Sequence, residues 1–172
     1  MAEQVGGGVI ASRTALEKLK KRAAKQYSLD RFVSNSEVIA ALKPGERSTF
    51  EEMLRVHPRR SASGIVVVTA FSAPYSCPHG TCVFCPGGPR WSTPQSYLPG
   101  SPGMRTALGS AFDPFLQVRR NLAKYEGNGH VTDKVETIVE GGTFIALPVD
   151  YQNSLAACAS SRVPDAKPLR PS

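Results

Sequence analysis

Long hydrophobic runs are missing from this sequence. Nowhere do roughly 18 apolar residues follow one another, and the longest uncharged segment, Ser61 to Pro89, is broken by Gly, Pro, Ser and Cys. A membrane-spanning helix is excluded on this pattern, and no membrane partner is expected. The opening residues, MAEQVGGGVIASRTALEKLKK, lack a basic n-region followed by an apolar core. No secretory signal is read there, and the expected compartment is the reducing cytoplasm. Cysteine is also scarce, four in 172 residues, which excludes a disulfide-stapled secreted scaffold. Three of the four crowd into nine positions, a distribution that points to metal or cluster ligation.

Acidic residues are outnumbered, 14 Asp and Glu against 21 Lys and Arg. Most of the excess lies in residues 1–60, with 12 basic and 7 acidic side chains. A basic segment suits a polyanionic partner, because each cation placed on a phosphate releases counterions. Lys18, Lys20, Lys21, Arg22 and Lys25 on one helix, and the pair Arg59 and Arg60, are the candidate contacts for RNA; an ordinary solvated face is the competing reading.

Residues 13–27 carry Leu16, Leu19, Ala23 and Tyr27 at helical spacing and predict an amphipathic helix. Ser34 stands three residues before Glu37, and Ser48 three before Glu51, so two further short helices are expected from capping boxes, the first ending at Pro44-Gly45 and the second near Pro58. The texture then changes to GIVVVTAF at 64–71, a β-branched run expected as a strand buried on both faces. A long Pro- and Gly-rich loop from Ser72 to Pro102 holds the cysteine triplet, and connections of that length are usually functional. Asp113-Pro114 predicts the start of a helix with Phe115, Val118, Leu122 and Tyr125 on one face, ending at Gly127 or Gly129, and Val135 to Val139 predicts a second strand. Strand, loop, helix and strand make a βαβ unit whose loop lies where α/β folds bind ligands. Beyond Gln152 the small residues and prolines predict an irregular tail. The organisation expected is thus 1–60 basic and helical, 61–152 βαβ, and 153–172 irregular, with too few strands to close a barrel of roughly 250 residues.

The loop reads Cys77-Pro-His-Gly-Thr-Cys82-Val-Phe-Cys85-Pro-Gly-Gly-Pro89, a C-x4-C-x2-C triplet. Three thiolates this close can converge on an inorganic core. A cubane held by three cysteines keeps one iron without a protein ligand, open to a substrate or cofactor. Gly80 suits a tight return, and Gly87-Gly88 would let backbone amides approach the sulfurs or a ligand.

CPHGTCVFCPGGP, followed by PQSY, FDP, Gly129-His130, DKVE and GGTF, closely resembles the catalytic subunit of Elongator and its archaeal and bacterial single-chain relatives, radical S-adenosylmethionine (SAM) enzymes that modify the wobble uridine (U34) of tRNA. The resemblance begins at Tyr27-Ser28-Leu29 and runs to about Gln152. It implies an α/β fold, an incomplete TIM-like (β/α) radical SAM barrel preceded by a basic helical N-terminal region facing tRNA. It implies that Cys77, Cys82 and Cys85 hold a [4Fe-4S] cluster whose fourth iron binds SAM. It also implies a 5′-deoxyadenosyl radical that acts on the acetyl group of acetyl-CoA, leading to a carboxymethyl group at C5 of the uridine. Gly141, Gly142 and Thr143 match the motif that receives the methionine amino group, and Phe84 matches an aromatic position facing adenine or the cluster. The family's C-terminal acetyltransferase-like part has no counterpart in this sequence. The chain is therefore expected to be a partial form, inactive alone or needing a partner that supplies the rest. Glu140 departs from the family, which usually has an apolar residue there, and so does Leu98-Pro99-Gly100-Ser101.

The competing reading of the triplet is a structural zinc site completed by His79 or Cys158, in an RNA-binding module without catalysis. Outside that reading Cys158 is a spare thiol in the tail, and His57 and His130 are a surface and a loop residue.

Overall fold

The computed structural model describes residues 12–142 and 144–160. Thr143, the Gly-rich start and the end of the expected tail lie outside the described residues. The chain divides into two compact units: one runs to Val66 and takes in Ala123–Lys134, and the other comprises Val67–Leu122 and the residues from Val135 onward.

The first unit is helical. Helix α1 (Arg13–Gln26) starts where Ser12 accepts the Ala15 amide. Its buried face is Leu16, Lys20 and Ala24, one position off the expected stripe, and Tyr27 beyond its end is 68% exposed. Helix α2 (Asn35–Ala41) carries the expected capping box: Ser34 accepts the Glu37 amide, and the Glu37 carboxylate takes the Ser34 amide at 2.8 Å. Arg31 clasps the same carboxylate with both guanidinium nitrogens and, with these serine bonds, holds it far below the usual carboxylate range.

The second expected helix starts earlier than its box would place it. Helix α3 (Pro44–Leu54) already begins at Pro44, so Ser48 lies within it. Proline suits a first turn, where its missing N–H costs nothing, and Glu46 accepts the Lys43 amide there. The three helices bury Leu16, Val38, Ile39, Leu42 and Leu54 together. A polar thread joins them: Lys20 donates to Asn35 at 2.7 Å, and Asn35 donates to the Leu54 carbonyl at 2.8 Å.

His57, left-handed at φ +53, leads into a 3-10 turn, Pro58–Ser61. Val56 donates to the Asn128 carbonyl and Arg55 to that of Gly129. His130, expected as a loop residue, is instead buried. Its Nε2 lies 2.7 Å from the Val56 carbonyl and its Nδ1 2.6 Å from the Ser61 hydroxyl. A carbonyl only accepts, so Nε2 carries the proton, and in the neutral ring Nδ1 accepts from Ser61.

Strand β1 (Val66–Phe71) pairs with a second strand, β2 (Val135–Glu140), in a two-stranded sheet. Val66 donates to the Lys134 carbonyl and Ser72 to that of Glu140, and this constant offset makes the pairing parallel. The expectation that β1 is buried on both faces holds in part: Val66, Val68 and Ala70 are buried on one face, and on the other Phe71 is buried but Val67 is 38% exposed. The α/β class is observed; two strands constitute a βαβ unit, not a barrel.

In the second unit, a short helix α4 (Met104–Gly109) packs Met104 and Ala107 with Phe71 and Phe112. Helix α5 (Pro114–Gly127) starts as expected, with Asp113 accepting the Leu116 amide at 2.8 Å. Parity sends the even-numbered amides of β1 to β2 and the odd-numbered groups to its other edge. There Gln117 of α5 accepts the Phe71 N–H at 2.8 Å and donates to its carbonyl at 2.9 Å, while Asn121 donates to the Thr69 carbonyl. These amide side chains do what a neighbouring strand would do.

The expectation of an irregular tail after Gln152 is corrected for residues 153–160, which belong to helix α6 (Val149–Ser160), packed against β2. Leu155 and Cys158 are buried on it and Tyr151 donates to the Phe112 carbonyl, so tertiary burial stabilises a segment of weak periodicity. Burial, with a smaller contribution from Asp113, pushes the Cys158 thiol up to about 11.

Replacing Gln117 with Leu keeps the volume but strands a buried N–H and a buried carbonyl, and urea denaturation should show a loss of about 2 to 4 kcal/mol. Cys158 gives a pH signature. Its folded pKa lies above the unfolded one, so its contribution is complete below pH 9 and is lost as pH rises toward 11. Between pH 8 and 10 the protein should lose about 1 kcal/mol more stability than Cys158→Ala. Equal losses in the two proteins would show that the thiol stays protonated to the same degree folded and unfolded.

Candidate metal and cofactor site

The loop after β1 leaves the sheet at Ser72, which is buried and extends the ladder to Glu140. The segment to Gly88 has no helix or strand, only tight turns: Gly80 donates back to Cys77, and Cys85 to Cys82. Gly80 sits at φ +85 with nothing near a would-be Cβ, so backbone conformation alone requires it. The turn carries Val83 and Phe84 outward, 97% and 94% exposed.

The three thiols differ. Cys82 is exposed, its sulfur 3.1 Å from Nε2 of His79. Cys77 is partly exposed. Cys85, also partly exposed, is built into the loop: its thiol donates to Gln95 Oε1 at 2.8 Å, and its sulfur accepts the Ser96 amide at 3.0 Å. Among the described residues no group of three or more His, Cys, Asp or Glu is drawn together to hold a metal ion. By chemistry the donors fit a thiophilic centre: three thiols within nine residues, with no carboxylate between them, on a segment without helix or strand.

Gly87 and Gly88 are buried and serve the loop itself. A Cβ on Gly87 would enter the Tyr97 carbonyl, and one on Gly88 would come 2.7 Å from Gln95 Oε1. The Gly88 amide donates to the Thr93 hydroxyl, which donates on to the Tyr97 carbonyl at 2.7 Å. The expectation that the Gly88 amide approaches the sulfurs or a ligand is corrected, since it is bound to Thr93. Gly141 and Gly142 follow β2 and are pressed on from two places: a Cβ on Gly141 would run into Ser72, and one on Gly142 would meet the Gln95 Cβ at 2.7 Å. Their small size is demanded by packing, with their backbone at the carboxyl end of β2.

Glu140, the departure from the family pattern, accepts from the Tyr97 hydroxyl at 3.2 Å. The Tyr97 ring stands edge-on to Phe71, 5.0 Å between centroids. Burial first, then the Glu140 charge, raises the Tyr97 hydroxyl above its ordinary pKa. Thr93, Gln95, Ser96 and Tyr97 were missed as site-building residues. Their signal was the cluster of polar side chains around Pro94, five to nine residues after Gly88.

In the other unit, Lys18, Lys21, Arg22, Lys25, Arg59 and Arg60 are exposed. Lys20 is not: at 7% exposure, with its ammonium on Asn35 and Glu17, it leaves the set of candidate RNA contacts.

Comparison with known proteins defines the class first. Residues 2–62 match the family model of the ELP3 N-terminal domain. The chain is 41% identical over 147 residues to Elongator complex protein 3 of Homo sapiens, covering 80% of this chain and 27% of that protein. It is 37% identical over 150 residues to the tRNA uridine(34) acetyltransferase of Methanocaldococcus infernus, covering 85% and 28%, and 40% identical over 123 residues to that of Methanocaldococcus jannaschii, covering 70% and 23%. The resemblance to the Elongator catalytic-subunit family is borne out: the chain carries an ELP3 N-terminal domain and is a relative of these proteins over most of its length. It spans about a quarter of the length of the curated relatives it matches. No helix among the described residues is long and apolar enough to cross a membrane.

The glycine packing is directly testable. Gly87→Ala places a methyl group into a backbone carbonyl that cannot swing aside, and should cost about 2 kcal/mol or more while accelerating hydrogen exchange at the Gly88 amide. Gly100, with nothing within 4 Å of a would-be Cβ, is the control; Gly100→Ala should stay within about 0.5 kcal/mol of the parent.

Proposed function

We propose that this chain is the cluster-bearing portion of a radical SAM enzyme that modifies the wobble uridine of tRNA. Cys77, Cys82 and Cys85 would hold a [4Fe-4S] cluster, with SAM as second cofactor. The observation that carries the reading is the thiol triplet at the carboxyl end of β1, linked through Gln95 to Gly142 at the carboxyl end of β2. The names of the relatives, Elongator complex protein 3 and tRNA uridine(34) acetyltransferase, support the substrate and an acyl-transfer component.

A cluster bound there would supply an electron to the SAM sulfonium, for radical chemistry toward acetyl-CoA-dependent carboxymethylation at C5. The chain's own residues do the holding. The thiols lose their protons and ligate, and the backbone oxygens of Gly141 and Gly142 receive an amino group. Tyr97 keeps the Glu140 carboxylate directed along the strand end. Lys18, Lys21, Arg22, Lys25, Arg59 and Arg60 meet tRNA phosphates, and a cytoplasmic setting keeps the thiols reduced. The acetyl-CoA part would come from a further acetyltransferase segment or a partner subunit.

Anaerobic reconstitution with iron and sulfide should give a brown protein with about four irons, whose spectrum changes on adding SAM. Serine in place of any one of the three cysteines should abolish uptake. A colourless protein with a single zinc would overturn the reading in favour of a non-catalytic RNA-binding module. Binding to tRNA should weaken steeply with salt, and Lys21→Ala with Arg22→Ala should flatten the log–log slope by about two.

A further inference from the structure

Cys85 meets two neighbours of the loop's second limb, Gln95 and Ser96. Ser96, whose amide reaches its sulfur, sits at φ +73, a left-handed conformation that costs a residue with a Cβ. Gln95, whose side chain meets the same sulfur, is 5% exposed and clamped on two sides: its amide lies over Gly88 and its Cβ over Gly142. The glutamine therefore joins the sulfur to the end of β2 by a short, packed path. Cys82 contrasts with this, exposed on an open turn.

We infer that Gln95 is a positioning residue for Cys85, holding that sulfur preset for ligation. The inference rests on the cluster reading given above. In the thiol form Cys85 donates to Gln95 Oε1. On ligation its proton goes to solvent, and a thiolate only accepts. Gln95 then turns its amide so that Nε2–H faces the sulfur, which receives two N–H donors, one from Gln95 and one from Ser96. Donors to a ligand sulfur withdraw electron density and favour the reduced cluster, so the pair raises the reduction potential.

The test uses the full chain and Gln95→Leu, which keeps the Cβ on Gly142 but removes the amide. Gln95→Glu is the second variant, with the same shape and no donor at neutral pH. In metal-free protein, site-resolved alkylation followed by mass spectrometry should show Cys85 reacting about tenfold faster in Gln95→Leu, as expected for losing one hydrogen bond, with Cys82 unchanged. In reconstituted protein both variants should have a lower midpoint potential; a tenfold change in the oxidised-to-reduced ratio corresponds to about 59 mV. An unaltered Cys85 rate together with an unaltered potential, in variants whose circular dichroism matches the parent, would overturn the inference. Should the parent take up no iron, the cluster reading fails, and the alkylation rates alone decide whether Gln95 holds Cys85. Should Gln95→Leu not fold, Gln95→Glu decides by the midpoint potential, since its carboxylate lacks the N–H donor but still accepts from the thiol.

Discussion

Thr93 takes the Gly88 amide and gives its proton to the Tyr97 carbonyl, and the thiol-bearing loop depends on that hydroxyl. A connection of about thirty residues with little helix and no strand cannot satisfy its buried backbone by a ladder, so it folds back on itself. The second limb, Thr93 to Tyr97, packs on the first at Gly87-Gly88 and on the carboxyl end of β2 at Gly142. Three of the four glycines most specific to the family motif are small for the sake of one pentapeptide. The fourth, Gly141, is kept small by Ser72, the residue that carries the ladder from β1 into the loop. Sheet end, loop and cysteine are thus one packing problem, and a side chain added at any of these glycines moves the sulfur environment as well.

The helical unit solves a different problem, that of a small core carrying many cations. Its interior is five aliphatic side chains, and a lysine is taken inside to tie α1 to α2. Burying an ammonium costs free energy unless it is fully bonded. Here Asn35 meets it and in turn uses its own amide on the last carbonyl of α3, so the cost brings a three-helix register. On that helix the exposed cations of the candidate set are thereby Lys18, Lys21, Arg22 and Lys25.

What could be read from the sequence was what is decided within a few residues. Ser34 with Glu37, Asp113 with Pro114 and the β-branched run at 66–71 all form as read, since each depends on its own neighbours. The helix read from Ser48 starts earlier for a local reason as well: Pro44 already opens it. The other misses are tertiary. Lys20 and His130 look like surface residues until Asn35, Ser61 and the Val56 carbonyl are brought to them from elsewhere in the chain. Gln117 sits in a helical stripe where only an apolar residue was sought, yet the free edge of β1 needs an amide there. The helix Val149–Ser160 has little periodicity, and forms because β2 offers a surface for Leu155 and Cys158.

Glu140 takes its physical reason from its neighbours. A carboxylate at the end of a strand, beside a glycine pair, is costly unless partnered. Tyr97 supplies one, and its ring is held edge-on to Phe71 at the end of the paired strand. The tyrosine hydroxyl is poorly acidic in this setting, so it stays a donor throughout the neutral range and the carboxylate keeps its hydrogen bond. The carbonyl of the same Tyr97 is the acceptor for Thr93. One residue therefore carries both the backbone closure of the loop and the side-chain partner of Glu140, and a substitution at Glu140 is felt first through Tyr97 and only then at the sulfurs.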